Sequence, residues 1–330
     1  MKENTEIIAL DKVDRKILHE LDLNARLDSS KIAKICKISR IVVDYRIRKM
    51  RDFGLIRSFS TFSDPAKFGL TSWKVYLKFQ NLTKELESEI IEFLRNQKNV
   101  WWVAKCRGKF DLLYSALAES FYEFNLLSEE FHSKFGQFIL EEALNNHLEP
   151  QYFSRGYILK HDLIELGWPF LAKPQKEKID EIDIKILNEL GINCRQNVTQ
   201  IARKLNLTAK IVSYRIKELS EKKIIVIHRL NLDVSKLGME FYKGLIYLKN
   251  TTEANFSKLR EYLRQEPYIN EYVKSVGEWQ LEIEAEVNNF RHFNEIIDKL
   301  RLNFPEMIVR IEPLLIYEEH KSEFNFLNYV

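Results

Sequence analysis

Two stretches decide the reading: Leu10–Arg26, LDKVDRKILHELDLNAR, and Ile179–Arg195, IDEIDIKILNELGINCR. They lie 169 residues apart. Extended without a gap over 10–69 and 179–238, they agree at 19 of 60 positions. The same offset pairs Gly108 with Gly277, Leu112 with Leu281, Phe121 with Phe290, Phe124 with Phe293 and Phe135 with Phe304. A register held that long is a tandem duplication, roughly 1–160 and 179–330, and a repeat constrains architecture before any single element does. Between the copies lies KHDLIELGWPFLAKPQKEK, in which Pro169 and Pro174 interrupt helix or strand. Trp168 and Phe170 predict that this linker packs against the rest of the protein.

Each copy opens on a helix. Asp11 is an N-cap, Asp14 sits in the first turn, and Val13, Ile17, Leu18 and Leu21 recur at helical spacing. Asp11 and Asp14 are a close pair of carboxylates, but capping and dipole matching account for them without catalysis. A second short helix over about 29–36 buries Ile32, Ala33 and Cys36. Ser39 then caps a third, running to about Phe53, with Val43, Ile47 and Met50 inward. The second copy repeats this with Thr208 as cap and Val212, Ile216 and Leu219 inward. Two short helices, a turn and a third with a polar outer face make a helix-turn-helix, and Leu55–Phe62 alternates like a wing strand. Lys223 replaces the turn glycine Gly54, so a reshaped turn is expected in the second unit.

After Gly69 and Gly238 the period changes. Strands are predicted at 73–79, 99–107, 110–117 and 138–148, with helices at 83–97 and 120–134. The second copy follows at 241–249, 268–276, 279–287 and 307–317, with helices at 252–265 and 288–303. The order is βαββαβ, and the fold class is α+β: two winged helix-turn-helix domains alternating with two ferredoxin-like sensor domains. The boundaries are 1–62 and 63–160, a linker at 161–178, then 179–231 and 232–330. Helices cover one face of each sheet, so the other needs a partner sheet, within the chain or between chains.

The net charge of +3 is small, but its distribution is uneven. Residues 31–60 carry nine Lys/Arg against two Asp, and 200–229 eight against two Glu, giving +7 and +6 and leaving −10 for the rest. A basic island on a helix-turn-helix is the footprint of a polyanion-binding surface; the competing reading is a merely solvated face. Cys36, Cys106 and Cys194 are odd in number and far apart, against a disulfide framework or zinc site. No apolar run reaches the roughly 18 residues of a membrane span, and the start lacks a signal-peptide core. The expectation is a cytoplasmic protein without membrane association, metal or cofactor.

The segment from Leu10 to Arg26, then I-A, a capping Ser or Thr, V-x-Y-R-I, G-L-I and D-x-x-K-x-G at Asp64–Gly69, resembles the leucine-responsive/asparagine-responsive (Lrp/AsnC) family of prokaryotic regulators. The α/β region resembles that family's sensor domain, including a G-x-x-D turn at Gly108–Asp111. The resemblance covers nearly the whole chain, twice, where the family usually has one unit. It implies double-stranded DNA binding through the third helix, homo-oligomerisation (dimer or higher) through the sensor sheets, and sensing of a small molecule, often an amino acid.

The expected DNA-binding residues are Ser39, Arg40, Asp44, Tyr45, Arg46, Arg48 and Lys49 in copy one. Copy two offers Thr208, Lys210, Ser213, Tyr214, Arg215 and Lys217. Arg46 and Arg215 are read as phosphate anchors, with a salt bridge as the alternative. Effector contacts are expected at Gly108, Asp111, Gly277 and Gln280, although Asp111 becomes Gln280 in copy two, and a plain tight hairpin explains the turn equally well. An architectural protein with little sequence preference and an enzyme reusing the fold are the rival functions. The enzyme would need clustered acid–base groups, whereas the seven histidines are scattered, none at the same position in both copies.

Overall fold

The computed structural model describes residues 6–159, 164–166 and 174–322. Trp168 and Phe170, expected to pack, lie outside them. The first helix-turn-helix is α1 (Lys12–Leu23), α2 (Ser29–Cys36) and α3 (Arg40–Asp52), followed by the wing β1 (Ile56–Ser63). The sensor region is β2 (Thr71–Phe79), α4 (Lys84–Asn96), β3 (Val100–Gly108), β4 (Leu112–Ala118), α5 (Phe121–Phe135) and β5 (Ile139–Tyr152). The second copy repeats this order. Its helix-turn-helix and wing are α6 (Glu181–Ile192), α7 (Val198–Lys204), α8 (Ala209–Glu221) and β6 (Ile225–Leu232). Its sensor region is β7 (Glu240–Leu248), α9 (Glu253–Leu263), β8 (Ile269–Gly277), β9 (Leu281–Val287), α10 (Phe290–Asn303) and β10 (Ile308–Ser322).

Local chemistry explains the helix starts. Asp11 and Asp14 form a reciprocal capping box on α1, as do Asp180 and Asp183 on α6. Ser39 and Thr208 accept from the backbone three residues on and cap α3 and α8. Lys223 adopts the same left-handed backbone as Gly54, φ 56° against 86°. The turn is therefore kept rather than reshaped, at a cost of about 1 kcal/mol for the non-glycine residue.

The wings do not pair within their own units. β1 and β6 pair with each other, antiparallel, with Ser60 opposite Arg229. These two are equivalents in the repeat, so the pseudo-two-fold axis passes between them. Each helical core is closed by the other copy: Leu230 and Leu232 of β6 pack with Ile17, Val43 and Met50, while Phe68 and Leu117 pack with Ile186, Leu190 and Val212. Arg26 donates to the carbonyls of Cys194 and Gln196. Its equivalent Arg195 donates to those of Ala25 and Leu27 at 2.9 and 2.8 Å and to Ser29. The two helix-turn-helix units are thereby locked into one body.

Each sensor sheet has the ferredoxin strand order, β5-β2-β4-β3 and β10-β7-β9-β8. The two join at both edges, β5 to β8 and β3 to β10, into a closed eight-stranded barrel. Sheet pairing is thus within one chain. Of the two arrangements expected, within the chain or between chains, the described residues show the first, and closure leaves the sensor sheets neither a free edge nor an open inner face among those residues.

His228 sits where the units meet, its Nδ1 2.8 Å from Thr61 Oγ1 and its carbonyl accepting from Ala25. Burial, with Arg26 adding repulsion, depresses its pKa from 6.5 to about 4. A base depressed in the folded state stays neutral there while the unfolded chain takes up a proton. Its stabilising contribution is therefore complete above pH 6.5 and is lost as pH falls toward 4. The loss is about 3 kcal/mol for the whole window. Denaturant titrations across that range should show a steeper fall in stability for the native protein than for His228→Gln, and parallel curves would contradict this.

Candidate functional site

α3 and α8 present the same outward face twice. Tyr45 and Tyr214 are equivalents and stand 60% and 63% exposed. Arg40, Arg48 and Lys49 on α3, and Lys210, Ser213 and Lys217 on α8, are also exposed, and Asp44 is half-buried. The pairs Arg40–Asp44 (3.5 Å) and Lys217–Glu221 (3.6 Å) are exposed and one helical turn apart, so they hold their cations weakly. Ile41 is 80% exposed, and Ile211 41%. A solvent-facing helix with a tyrosine, apolar tips and uncommitted cations has the chemistry to meet thymine methyls, base edges and phosphates.

Arg46 and Arg215 do not belong to that outward set. Arg46 Nη1 lies 2.7 Å from both Asp11 and Asp14, and Arg215 is 2.9 Å from Asp180 and 3.3 Å from Asp183. Each clasps the capping box of its unit's first helix. The two carboxylates outweigh the modest burial and raise the Arg46 pKa. The salt bridge held as the alternative reading of Arg46 and Arg215 is thus present, and a cation shared between two carboxylates has less attraction left for a third anion.

The four residues expected to contact an effector have structural partners of their own. Asp111 accepts from Lys78 Nζ at 2.7 Å and from the Phe79 N–H at 3.0 Å. Gln280 accepts from the Leu248 N–H at 2.9 Å. Phe79 and Leu248 are repeat equivalents, so aspartate and glutamine share one task, accepting from a strand-end N–H, and the aspartate additionally pairs with a lysine. Gly108 and Gly277 have φ of 138° and 157°. A Cβ at Gly108 would come within 2.6 Å of the Pro313 carbonyl, and one at Gly277 closer still to that of Leu144. These glycines let the two sheets approach at the barrel seams.

The sequence reading missed the barrel interior. Lys74 and Lys243, repeat equivalents, both point inward and are 4% and 0% exposed. Lys243 lies between Glu282, at 3.3 Å, and Glu284. Glu282 is also 3.5 Å from Lys74 and from His147 Nε2. Burial opposes ionisation of Glu282, but the two lysines outweigh it and hold its pKa well below the carboxylate range. Burial and the like charge of Lys243 lower Lys74 to about 8. Burial and the neighbouring Glu284 push Glu271 well up. Lysine and glutamate, with the single histidine His147, build an acid–base cluster here. The usable signal was LEIEAEV at 281–287. Under the repeat, Glu282, Glu284 and Glu286 replace Leu113, Ser115 and Leu117. Above the cluster, between the β1–β6 ribbon and the barrel, opens a cleft of about 920 Å³.

Among the described residues, no helix is long and apolar enough to cross a membrane. A family model of the AsnC-type helix-turn-helix domain matches the chain twice, at residues 10–51 and 179–220. An uncharacterized HTH-type transcriptional regulator of Pyrococcus furiosus is 32% identical over 147 residues, 44% of this chain and 94% of the relative. The HTH-type transcriptional regulator LrpC of Bacillus subtilis is 28% identical over 111 residues, 33% of this chain and 76% of the relative. Among solved structures, the siroheme decarboxylase NirDL superposes with a TM-score of 0.63 at 11% identity, covering 96% of this chain and 97% of that one. At that identity the likeness is one of fold alone, including the two-copy arrangement. The doubled helix-turn-helix match and the near full-length coverage of the Pyrococcus relative place this chain in the Lrp/AsnC family of helix-turn-helix transcriptional regulators, with the family's unit present in tandem.

Proposed function

We propose that the protein is a cytoplasmic, sequence-specific double-stranded DNA-binding regulator, modulated by a small molecule, in which one chain does the work of a dimer. The supporting observation is the rigid pairing of two outward helices, α3 and α8, about one pseudo-two-fold axis. Such a pair suits two half-sites of a duplex read in the major groove. Arg40, Asp44, Tyr45, Arg48 and Lys49 read or grip one half-site, and Lys210, Ser213, Tyr214 and Lys217 the other. Ser39 and Thr208 set the helix starts, and Arg46 and Arg215 hold the helices in place. The units divide near residues 62, 160, 178 and 231, and any association between chains uses the outer helices of the barrel. We read the chain as a regulator rather than an enzyme because its outward chemistry, like the names of its sequence relatives, concerns DNA.

Because the two helices differ outward (Arg40 against Ala209, Asp44 against Ser213, Lys49 against Glu218), the half-sites should differ too. Selection from a random duplex library is expected to return two unlike half-sites. Giving α8 the outward residues of α3 should convert the selected site into an inverted repeat. A perfect palindrome bound by the unaltered single chain would refute the arrangement. Equal affinity for all duplexes would favour an architectural protein.

Salt dependence separates the cations. Arg48→Ala should flatten the log–log slope of affinity against salt by about one. Arg46→Ala should leave that slope unchanged and lower stability by about 1 kcal/mol. A slope change of equal size in both variants would restore Arg46 as a phosphate contact.

A further inference from the structure

The two sensor halves repeat in backbone but not in the charge they turn inward. Each supplies one inward lysine, Lys74 or its equivalent Lys243. Only the second half supplies inward carboxylates on its strands: Glu271, Glu282 and Glu284 stand where the first has Trp102, Leu113 and Ser115. The compensation therefore crosses between halves. Among the described residues, the only carboxylate within 4 Å of Lys74 is Glu282, at 3.5 Å. Arg155 of the first half likewise takes Glu286 from the second at 2.7 Å, beside Asp22 of its own half. In place of Glu286 the first half has Leu117. In the turns after β3 and β8, Lys109 and Glu278 are repeat equivalents and meet each other at 2.6 Å. Residues that meet their own equivalents lie at the pseudo-two-fold axis, as Ser60 and Arg229 also do.

Two first halves closed on one another would enclose two copies of Lys74 with no strand carboxylate to meet them, and would set Lys109 against Lys109. Two second halves would enclose Glu271, Glu282 and Glu284 twice over against two copies each of Lys243 and Arg229, six carboxylates to four cations. They would also set Arg229 against Arg229 and Glu278 against Glu278. The unlike pair balances: Lys74, Lys243 and Arg229 meet the three glutamates, and His147, held toward its neutral form by burial, adds little charge. Buried charge without a partner is costly, and like charges face to face add to that cost. We infer that these groups form a pairing code, by which the inner face of the first sensor half accepts the second half and each half rejects its own kind. The tether favours closure of one chain whatever its faces carry; the charges decide which faces can meet. Under the DNA-binding reading proposed above, on which this one consequence rests, α3 then stands beside α8 in every pair and never beside a second α3.

The test is made without DNA, so its failure leaves the DNA-binding reading intact. In the full chain, Glu271→Gln, Glu282→Gln and Glu284→Gln together reproduce the inward charge of two first halves. Lys74→Met with Lys243→Met leaves the carboxylates in excess, as two second halves would. Each set should lower the thermal unfolding temperature by about 10 °C, and a chain carrying both sets should recover most of that loss. The pairing itself is read on the full chain with a specific protease site inserted between residues 170 and 171. The protein is cut, passed through urea, returned to buffer and weighed by native mass spectrometry. Chance pairing would make about half of the pairs like with like, whereas the code predicts about one in ten or fewer. The same cut in the chain carrying both sets should raise the share of like pairs. Like pairs near the chance share in the native protein would overturn the inference. If the cut pieces do not refold, the intact variants decide it: a combined chain no more stable than the weaker single set overturns it equally.

Discussion

The reciprocal grip of Arg26 and Arg195 is the constraint from which the rest follows. Each guanidinium leaves its own unit and donates to backbone carbonyls in the turn after the first helix of the other. Burial lowers the pKa of both, Cys194 opposing it. An arginine in such a place stays charged and needs every acceptor it has. The grip fixes the two turns against each other, and the β1–β6 ribbon and the exchanged core residues Leu230 and Phe68 complete the joint. Two helix-turn-helix units that a flexible tether would leave free are therefore held at one spacing. Recognition of two half-sites then costs little orientational freedom on binding.

The joint continues into the barrel. Arg155 donates to Asp22 of α1 at 2.6 Å, to Glu286 of β9 at 2.7 Å and to the Leu230 carbonyl at 3.2 Å. Arg57 of β1 reaches Glu319 of β10 at 2.7 Å. Buried ion pairs of this kind contribute little net stability against apolar packing, but removing one partner strands a charge. They tie the helical body to the barrel in one arrangement. The cleft between the two is walled by both.

Much of this was legible in the sequence. The duplication, the helix-turn-helix and the βαββαβ order rest on local signals: capping residues at Asp11, Ser39 and Thr208, helical apolar spacing, and period-two strands. Those signals act within a few residues and survive folding. The exchanges were not legible. Arg26 reads as an ordinary surface arginine, because its acceptors lie about 170 residues away. Arg46 reads as a phosphate anchor with a salt bridge as the alternative, and the sequence does not name the partners because its aspartates sit on a different helix. The Glu282–Glu284–Glu286 series looks like the wet face of a strand, and only closure of the barrel makes it interior. In each case the deciding neighbour is remote in sequence, and position within the repeat, rather than local pattern, held the clue.

The central claim is that one chain carries a complete pair of duplex-reading helices. Light scattering on the complex with a duplex bearing both half-sites measures it most directly. The account predicts one 39.4 kDa chain per duplex, with binding lost when the outward residues of either α3 or α8 are replaced by alanine. Two chains per duplex, with alanine replacement on one of the two helices leaving affinity unchanged, would contradict it.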